Sequence, residues 1–269
     1  MLAPFSIEEL SDEMSYPPRK DRNQKKKRKI KPLILIILAI LVILVGIFFG
    51  YVSDFYEADE TAYAFLKDTE EVQYLGDEPI HFAPAESLDI GIIFYTGGKV
   101  DEVSYTPIMQ PLAEFGYETF IPEMPFNLAV FDVDAADEII EDHPEIDHWY
   151  VSGHSLGAAM AAGYVADNLD KIEGLISLAG YSTADLSDTD LPVLTLYGSQ
   201  DAIINAEKVE EYRPNLPVQT IEKMITGGNH AQFGRYGEQD GDGQAEISSE
   251  EQLAETITAI HDFIALQNH

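Results

Sequence analysis

One five-residue motif constrains the fold of this chain more than any other feature. It is Gly-His-Ser-Leu-Gly at residues 153–157, and it lies between a run that ends in β-formers (147–152) and an alanine-rich run typical of a helix (158–162). Glycine has no Cβ, so both ends of the motif can bend where a side chain would clash. The sequence therefore predicts a tight strand-to-helix turn that presents Ser155 as a nucleophile, beside backbone N–H groups that can stabilise an oxyanion.

A serine nucleophile needs a general base, and the base needs an acidic residue to orient it. After a strand-to-helix turn of this kind, the acid and then the histidine follow in the chain. Asp201 follows a β-rich run (191–197), and His230 is the centre of a glycine-rich loop (226–234). We therefore predict Ser155 as nucleophile, His230 as general base and then acid, and Asp201 as the group that fixes the imidazole tautomer.

Other acids and histidines fit these roles less well. Asp185, Asp188 and Asp190 precede the β-rich run instead of following it. Sites in open α/β sheets lie at the carboxyl ends of the strands, so these three acids are ranked below Asp201. His154 is adjacent to the predicted nucleophile, but we expect it to point from another side of the turn and interpret it as structural.

The oxyanion site is predicted from two stretches of backbone. One donor is the N–H of Leu156, the residue after the predicted nucleophile. The second would come from the loop at 96–101, which follows a predicted strand at 89–95 and contains two adjacent glycines. Glycines allow backbone to approach a bound molecule closely, and the sequence leaves both Gly98 and Lys99 open as the second donor.

Strand-like and helix-like segments alternate from residue 72 onward. Continuous apolar strands separated by helices are typical of a mostly parallel sheet covered on both faces. We predict a doubly wound α/β domain over residues 72–269, opened by a hairpin. Within it we expect a helix near 129–141, a strand near 218–221, and a closing helix at 249–266 whose start has capping-box character.

The N-terminal part predicts a membrane anchor. Residues 33–52 contain no charged side chain, and twenty helical residues at about 1.5 Å each match the roughly 30 Å hydrocarbon core of a bilayer. A basic cluster at 19–31 precedes them, and such clusters remain cytoplasmic. We therefore predict a cytoplasmic tail (1–32, disordered at 1–18), a single-pass helix (33–52), a connector (53–71) and an extracytoplasmic domain. A cleaved signal peptide is the alternative, although its apolar core is normally about 7–15 residues long.

Charge and cysteine content exclude several function classes. After residue 52 the chain has seven basic against 43 acidic residues, a formal charge of −36, which excludes nucleic acid as a partner. The chain has no cysteine, so thiol nucleophiles, thiolate metal sites and disulfides are excluded. We predict no metal or organic cofactor. The Asp-Gly-Asp-Gly run at 240–243 lacks the further ligands of a calcium loop, and we interpret it as a mobile acidic surface loop.

Four stretches of the chain carry a resemblance to a known family. They are residues 94–101, 124–130, 153–157 and 227–237. The last, Gly-Gly-Asn-His-Ala-Gln-Phe-Gly-Arg-Tyr-Gly, is the most specific. Over roughly residues 70 to 266 the chain resembles the α/β-hydrolase superfamily and, within it, a compact, often membrane-anchored bacterial group known as fold 5. The resemblance implies the α/β-hydrolase fold and a triad of Ser155, Asp201 and His230, and it implies no particular substrate.

The resemblance also bears on access to the site. α/β-Hydrolases usually insert a lid after the strand predicted near 175–179, but only residues 180–190 are present there. We therefore expect an open site without a large lid domain. Four apolar residues are predicted to form its walls: Met124, Phe126, Tyr181 and Phe233.

The predicted triad supports one leading function and two alternatives. We expect a serine hydrolase of the carboxylesterase type, which forms an acyl-enzyme and acts on a small-molecule or envelope ester. An envelope acyl or peptidyl transferase would use the same three residues, with a sugar or amine in place of water. A surface module that kept the fold for binding without catalysis is the third possibility. The sequence does not specify the oligomeric state.

Overall fold

A computed structural model describes residues 24–267 of the 269-residue chain. The chain divides into two compact units, of which the first ends at Tyr51 and the second begins at Val52. The predicted disorder of residues 1–18 and the beginning of the basic cluster (19–23) lie outside the described residues.

The first helix, α1 (Gln24–Val52), contains the long apolar segment of the chain. An 18-residue window within its stretch Pro32–Val52 has a mean hydropathy of 3.4, and no residue of that window is buried within the protein. The stretch is long and apolar enough to cross a membrane, and it contains the predicted span 33–52. Membrane anchors and signal sequences share these properties.

Among the described residues, the second unit contains one eight-stranded sheet. Its strands are β1 (Val72–Asp77), β2 (Ile80–Pro84), β3 (Ile90–Tyr95), β4 (Glu118–Ile121), β5 (His148–His154), β6 (Ile172–Leu178), β7 (Val193–Gly198) and β8 (Ile221–Ile225). Their order across the sheet is β1-β2-β4-β3-β5-β6-β7-β8. Strand β2 is antiparallel to both β1 and β4, and all neighbours from β4 to β8 are parallel. The predictions of a mostly parallel sheet and of an opening hairpin are confirmed.

Six α-helices accompany this sheet in the second unit, among the described residues. They are α2 (Glu60–Tyr63), α3 (Thr106–Glu114), α4 (Ala135–Asp142), α5 (Leu156–Asp167), α6 (Ala206–Tyr212) and α7 (Ser249–Gln267). All six residues of β3 are buried. Because successive side chains of a strand point to opposite faces, one set packs with α3 and α7 and the other with α4 and α5. This arrangement is the doubly wound α/β architecture that the sequence predicts.

The closing helix α7 begins with the predicted capping box. Glu251 N–H donates to Ser248 Oγ at 3.2 Å, and the Glu251 carboxylate accepts the N–H of Ser248 at 2.8 Å. The two residues thereby satisfy donors that the start of a helix otherwise leaves unpaired.

The helix predicted near 129–141 is shorter than expected. Two 3-10 turns, Pro125–Asn127 and Ala129–Phe131, come first, and α4 starts only at Ala135. Asp132 has φ −151° and ψ 70°, a non-helical backbone that ends the second turn and delays the helix.

The last strand also begins later than the prediction near 218–221. A turn precedes it, in which both the N–H and the hydroxyl of Thr220 donate to the carbonyl oxygen of Pro217, at 3.0 and 2.7 Å. Val218 is 99% exposed in this turn, so its β-forming side chain has no sheet to pack against.

Residues 53–71, predicted as a connector, belong to the same compact unit as the sheet. Tyr56 N–H donates to the carbonyl oxygen of Lys99 (2.8 Å), and the N–H of Asp101 donates to Tyr56 O (3.0 Å). Ala62 is fully buried. The segment therefore packs on the domain, beside the loop that follows β3.

The connection between β6 and β7 is short. Residues 179–192 contain no helix and no strand within the described chain. A segment of this length cannot form a lid domain, which agrees with the sequence prediction.

Candidate active site

Ser155 occupies a sharp turn between β5 and α5. Strand β5 ends at His154 and helix α5 begins at Leu156, so the turn is a single residue. Ser155 has φ 54° and ψ −117°, a backbone conformation that residues other than glycine rarely adopt. Its N–H donates to the carbonyl oxygen of Leu178 at 2.9 Å, which ties the turn to the end of β6. The turn leaves Ser155 partly exposed at the start of the helix.

Two glycines of the motif let this turn pack tightly. A Cβ on Gly153 would lie 2.6 Å from the carbonyl carbon of Gly157, and a Cβ on Gly157 would overlap the carbonyl oxygen of Tyr95. Both positions are bounded by backbone, which cannot move aside as the tip of a side chain can. The motif therefore brings the turn and the start of α5 against the end of β3.

Asp201 and His230 come from the loops after two neighbouring strands, β7 and β8. His230 Nδ1 and Asp201 Oδ2 are 2.8 Å apart, and each side chain is only 1% exposed. Asp201 Oδ1 accepts the backbone N–H groups of Ile203 and Ile204, each at 2.9 Å. Both carboxylate oxygens are therefore engaged, one with the imidazole and one with the backbone.

This bonding fixes the protons on the His230 ring. An ionised carboxylate only accepts hydrogen bonds, so Nδ1 carries the proton and Nε2 of the neutral ring keeps a lone pair. Nε2 is buried and has no hydrogen-bond partner among the described residues. The ring therefore has the form of a general base whose basic nitrogen is not otherwise engaged.

The His230 loop lies against the turn that carries Ser155. The ring of His154, the preceding residue, lies 4.6 Å from the ring of His230 between centroids. Within the described chain, Ser155 Oγ and His230 Nε2 are not hydrogen bonded. Such bonds are often long in a free enzyme and tighten when substrate binds. The three predicted residues are thus gathered at one end of the sheet, at the carboxyl ends of β5, β7 and β8.

The alternative acids lie away from this arrangement. Asp185, Asp188 and Asp190 are exposed on the connection between β6 and β7. Asp185 accepts hydrogen bonds from the hydroxyl and the N–H of Ser187, and these bonds lower the pKa of Asp185. Within the described chain, Asp201 is the acid that contacts His230.

Backbone contacts separate the two candidates for the second oxyanion donor. The N–H of Lys99 donates to the carbonyl oxygen of Asn127 at 2.7 Å and is therefore already engaged, which corrects the prediction for Lys99. The N–H of Gly98 has no partner among the described residues. A Cβ on Gly98 would lie 3.0 Å from Leu156 Cδ2, so Gly98 adjoins the other predicted donor. Gly98 and Leu156 remain the predicted pair.

Residues 91–254 match the model of the alpha/beta hydrolase family. The chain belongs to the alpha/beta hydrolase family. No curated protein matches this hydrolase in sequence.

Three solved structures are similar to this hydrolase in fold. The carboxylesterase CesB from Bacillus subtilis is 10% identical, with a TM-score of 0.53, over 76% of this chain and 95% of its own. MGS-MChE2, an alpha/beta hydrolase enzyme from the metagenome of lagoon sediments at Mar Chica, Morocco, is 13% identical, with a TM-score of 0.53, over 74% and 100%. Est1E from Butyrivibrio proteoclasticus, with ferulic acid bound, is 14% identical, with a TM-score of 0.52, over 74% and 98%. At these identities the likeness shows the fold.

The four residues predicted as apolar walls of the hydrolase site lie in different environments. Met124 is 2% exposed and Phe233 is fully buried, each in one of the two cores. Packing against the sheet uses both side chains, so neither offers a surface to a substrate, and the prediction is corrected for both. Tyr181 is partly exposed and stacks on Tyr212 at 5.4 Å. Phe126 is 45% exposed, and with Tyr181 it stays a predicted wall residue.

A buried polar network beneath the site is not predicted by any pattern in the sequence. The N–H of Gly97 donates to the Tyr105 hydroxyl at 3.0 Å, and this hydroxyl lies 2.9 Å from His154 Nδ1. The oxygen accepts from Gly97, and its own proton can be donated to the imidazole. Burial, followed by the neighbouring His230, holds the pKa of His154 well below its usual value, so the ring is neutral. No motif surrounds Tyr105 that would have revealed the contact.

A second missed contact joins residues 53–71 to the loop of His230. Arg235 Nε lies 2.9 Å from the Asp59 carboxylate, and the carbonyl oxygen of Arg235 accepts the N–H of Asp59 at 2.8 Å. The motif at 227–237 includes Arg235, but its partner lies 176 positions earlier in the chain, so no local pattern identifies it.

Proposed function

We propose that this chain is a membrane-anchored, extracytoplasmic serine hydrolase of the carboxylesterase type. The proposal rests on the state of the His230 ring. Its Nδ1 is hydrogen bonded to Asp201, and its buried Nε2 has no hydrogen-bond partner in the described chain. The adjacent one-residue turn holds Ser155 in the conformation of a nucleophile elbow. A nucleophile, a base and an orienting acid in this chain order support a catalytic triad.

The geometry gives each residue a step in ester hydrolysis. Ser155 Oγ attacks the ester carbonyl carbon while its proton passes to His230 Nε2, and Asp201 stabilises the imidazolium that forms. The N–H groups of Leu156 and Gly98 stabilise the oxyanion, a contribution of about 3 kcal/mol per donor in comparable sites. The imidazolium protonates the departing alcohol. The same nitrogen then deprotonates a water molecule, which releases the acid from the acyl-enzyme.

An ester is the favoured substrate class for two reasons. Two of the structures similar in fold are an enzyme described as a carboxylesterase and a protein solved with ferulic acid bound. Residues 179–192 contain no lid element, so access to Ser155 is not restricted by a cap domain. Small or surface-accessible esters suit such an open site.

The proposed location rests on α1 and the charge pattern. Pro32–Val52 is long and apolar enough to span a bilayer. The basic cluster at 19–31 favours a cytoplasmic N-terminus. This orientation makes residues after Val52 extracytoplasmic, where their formal charge of −36 faces an aqueous medium.

The test uses the full-length chain and two fluorophosphonate probes, one permeant and one charged and membrane-impermeant. We expect the purified chain to react with both probes and to hydrolyse p-nitrophenyl acetate, and we expect intact cells to show labelling by the impermeant probe. Ser155→Ala should abolish labelling and lower turnover to background, because it removes the attacking oxygen. Ser187→Ala removes an exposed hydroxyl on the 179–192 connection and should leave both unchanged.

The outcomes separate the parts of the proposal. Labelling that persists in Ser155→Ala would overturn the nucleophile assignment. A purified chain that hydrolyses esters while intact cells exclude the impermeant probe would overturn the extracytoplasmic location alone. A folded chain that neither labels nor hydrolyses any acyl donor would favour a binding module.

A further inference from the structure

The acidic run at 240–243 is more ordered in its contacts than a mobile surface loop. The carboxylate of Asp242 accepts three backbone N–H groups. They belong to Ala202 (3.2 Å), Gly243 (2.8 Å) and Ala231 (2.9 Å). Hydrogen bonds to an ionised acceptor are stronger than those between neutral groups. Asp242 therefore fixes backbone in two other loops, and the interpretation of this run as a mobile loop is corrected.

The two distant donors of Asp242 are the neighbours of the acid–base pair. Ala202 directly follows Asp201, and Ala231 directly follows His230. Asp242 Oδ1 binds the first and Oδ2 the second, so one carboxylate bridges the two loops. These donors lie 40 and 11 positions earlier in the chain than Asp242.

Other contacts join the same two loops on their upstream side. The N–H of Gln200 donates to the carbonyl oxygen of Gly228 at 2.8 Å, and the N–H of Gly227 donates to Ser199 Oγ at 2.8 Å. Asp242 supplies the junction on the downstream side. The 2.8 Å hydrogen bond between Asp201 and His230 therefore has contacts between the two loops on both sides of it. Neither loop can shift along the other without breaking at least one of these contacts.

The neighbour of Asp242 strengthens this junction. The Asn229 side-chain amide donates to the carbonyl oxygen of Gly243 at 2.8 Å. A Cβ on Gly243 would overlap the carbonyl oxygen of Gln200, so this glycine lies directly on the loop of the acid. Residues 242 and 243 together contact both loops.

We propose that Asp242 is a positioning residue that holds the loops of Asp201 and His230 in register for proton transfer. The proposal rests on the proposed function, since it concerns the base of the same reaction. Asp242 does not touch the reacting atoms. It acts through the position of the His230 ring, and a misplacement of about 1 Å can lower the rate of an enzyme about 100-fold.

The test compares Asp242→Asn with Asp240→Asn in the full-length chain. An asparagine side chain has one acceptor oxygen in place of two, so at least one loop loses its bond and faces an amide donor instead. We expect kcat/KM for p-nitrophenyl acetate to fall about 100-fold in Asp242→Asn, mainly in kcat, with a matching loss in the rate of fluorophosphonate labelling. Asp240 is exposed in the same run, so its variant removes the same charge and should keep wild-type rates.

A second readout reports on the ring without using activity. The proton on His230 Nδ1 gives a downfield resonance in a chain labelled with 15N-histidine, and Asp242→Asn should shift it or increase its exchange with water. Asp240→Asn should leave the resonance in place. If Asp242→Asn does not fold, Asp242→Glu keeps the charge with a longer stem and should show the same two effects to a smaller degree.

The results distinguish the proposals from each other. Wild-type kcat/KM and an unchanged resonance in folded Asp242→Asn would overturn the positioning role. Equal losses in the 242 and 240 variants would also overturn it, since charge and not contact would then be the cause. A wild-type chain that shows the resonance but no turnover would overturn the proposed function and leave the role of Asp242 to be decided by the resonance.

Discussion

The turn that carries Ser155 and the loop that carries His230 are held in place in different ways. The turn is made by residues adjacent in sequence, at the junction of β5 and α5. Its positive φ and its close glycine contacts leave no room for another arrangement. The His230 loop contains only a short 3-10 turn (Ala231–Phe233), and contacts from distant segments fix its position.

This difference predicts which kind of substitution should damage each half of the candidate site. The turn depends on the absence of side-chain atoms, so added volume should destroy it. The loop depends on polar partners, so removal of a hydrogen-bonding group should loosen it while the fold survives. Three substitutions test this contrast, and the residue where the two regions meet gives the smallest effect.

Added volume at the turn should give the largest effect. Gly157→Ala places a Cβ against the carbonyl oxygens of Tyr95 and Thr96, which belong to backbone and cannot move aside. We expect loss of folded protein, or a decrease in the free energy of unfolding of at least about 3 kcal/mol, the upper end for overpacking. Gly163→Ala makes the same change later in α5, where nothing lies within 4 Å of the new Cβ. That control should be neutral or stabilise by up to about 1 kcal/mol, as alanine favours a helix.

Denaturant unfolding of both variants measures the contrast. Near-equal stability of the two alanine variants would show that the turn can relax around a new side chain. The turn would then be no more rigid than the His230 loop, and the contrast between the two regions would be wrong.

Removal of a polar partner from the His230 loop should give an intermediate effect. Gln252 is fully buried in α7, and its side chain accepts the N–H of Asn229 (3.0 Å) and donates to the carbonyl oxygen of Asn229 (2.8 Å). Gln252→Leu keeps the volume but leaves both backbone groups without a partner, at a cost of about 1–3 kcal/mol for each group that stays buried. We expect kcat to fall with stability, because Asn229 directly precedes His230.

The matched control is Gln267→Leu, at the exposed end of the same helix. It should change neither the midpoint of unfolding nor kcat. If Gln252→Leu kept wild-type kcat with its stability reduced, Gln252 would support the fold and not the position of the loop.

The smallest effect is a pH dependence at His154, where the turn meets the loop. Burial holds the pKa of His154 well below its usual value, so the folded chain binds no proton there while the unfolded chain does below pH about 6.5. The unfolded state then binds more protons, and stability falls as the pH is lowered through 6.5 by up to about 1.4 kcal/mol per pH unit. His154→Gln should flatten this slope, measured by denaturant unfolding between pH 7.5 and 5.5.

His148 provides a control of opposite sign. A hydrogen bond to Glu173 raises the pKa of His148 in the folded chain, so its contribution is present at low pH and is lost as the pH rises through the folded pKa. His148→Gln should therefore steepen the loss of stability on acidification. If both variants showed the wild-type dependence of stability on pH, protonation of His154 would cost no stability. The inferred effect of burial on the pKa of His154 would then be wrong.

The sequence predicts the turn well and the supports of the loop poorly, and distance along the chain explains why. The turn, the strands and the capping box at Ser248 are set by residues within a few positions of one another. Asp201 and His230 are predictable because each follows a strand, and parallel strands bring their ends together. These features need only local patterns and the rules of sheet topology.

The remaining parts depend on contacts that no local pattern encodes. From the sequence, the backbone N–H of Lys99 is a reasonable oxyanion donor. In the structure this N–H donates to the carbonyl oxygen of Asn127, a residue with φ 54°. Met124 and Phe233 are apolar residues near motifs, and only the packed structure shows that they are buried. The run that contains Asp242 has the composition of a surface loop. The hydrogen bonds of Asp242 to two other loops form only in the folded structure, where the three loops come together.

Under the proposed membrane anchoring, the pairing of Tyr56 with Lys99 and Asp101, and of Asp59 with Arg235, limits where a protease could release the domain. Three residues, 53–55, separate the end of α1 from the first of these contacts. In the proposed arrangement, a protease that cuts there would release the sheet domain with these backbone contacts intact. A cut beyond Asp59 would instead separate Tyr56 and Asp59 from the domain, and with them the contacts to the loop after β3 and to the His230 loop. A difference of a few residues in the cleavage site would therefore decide between release and loss of activity.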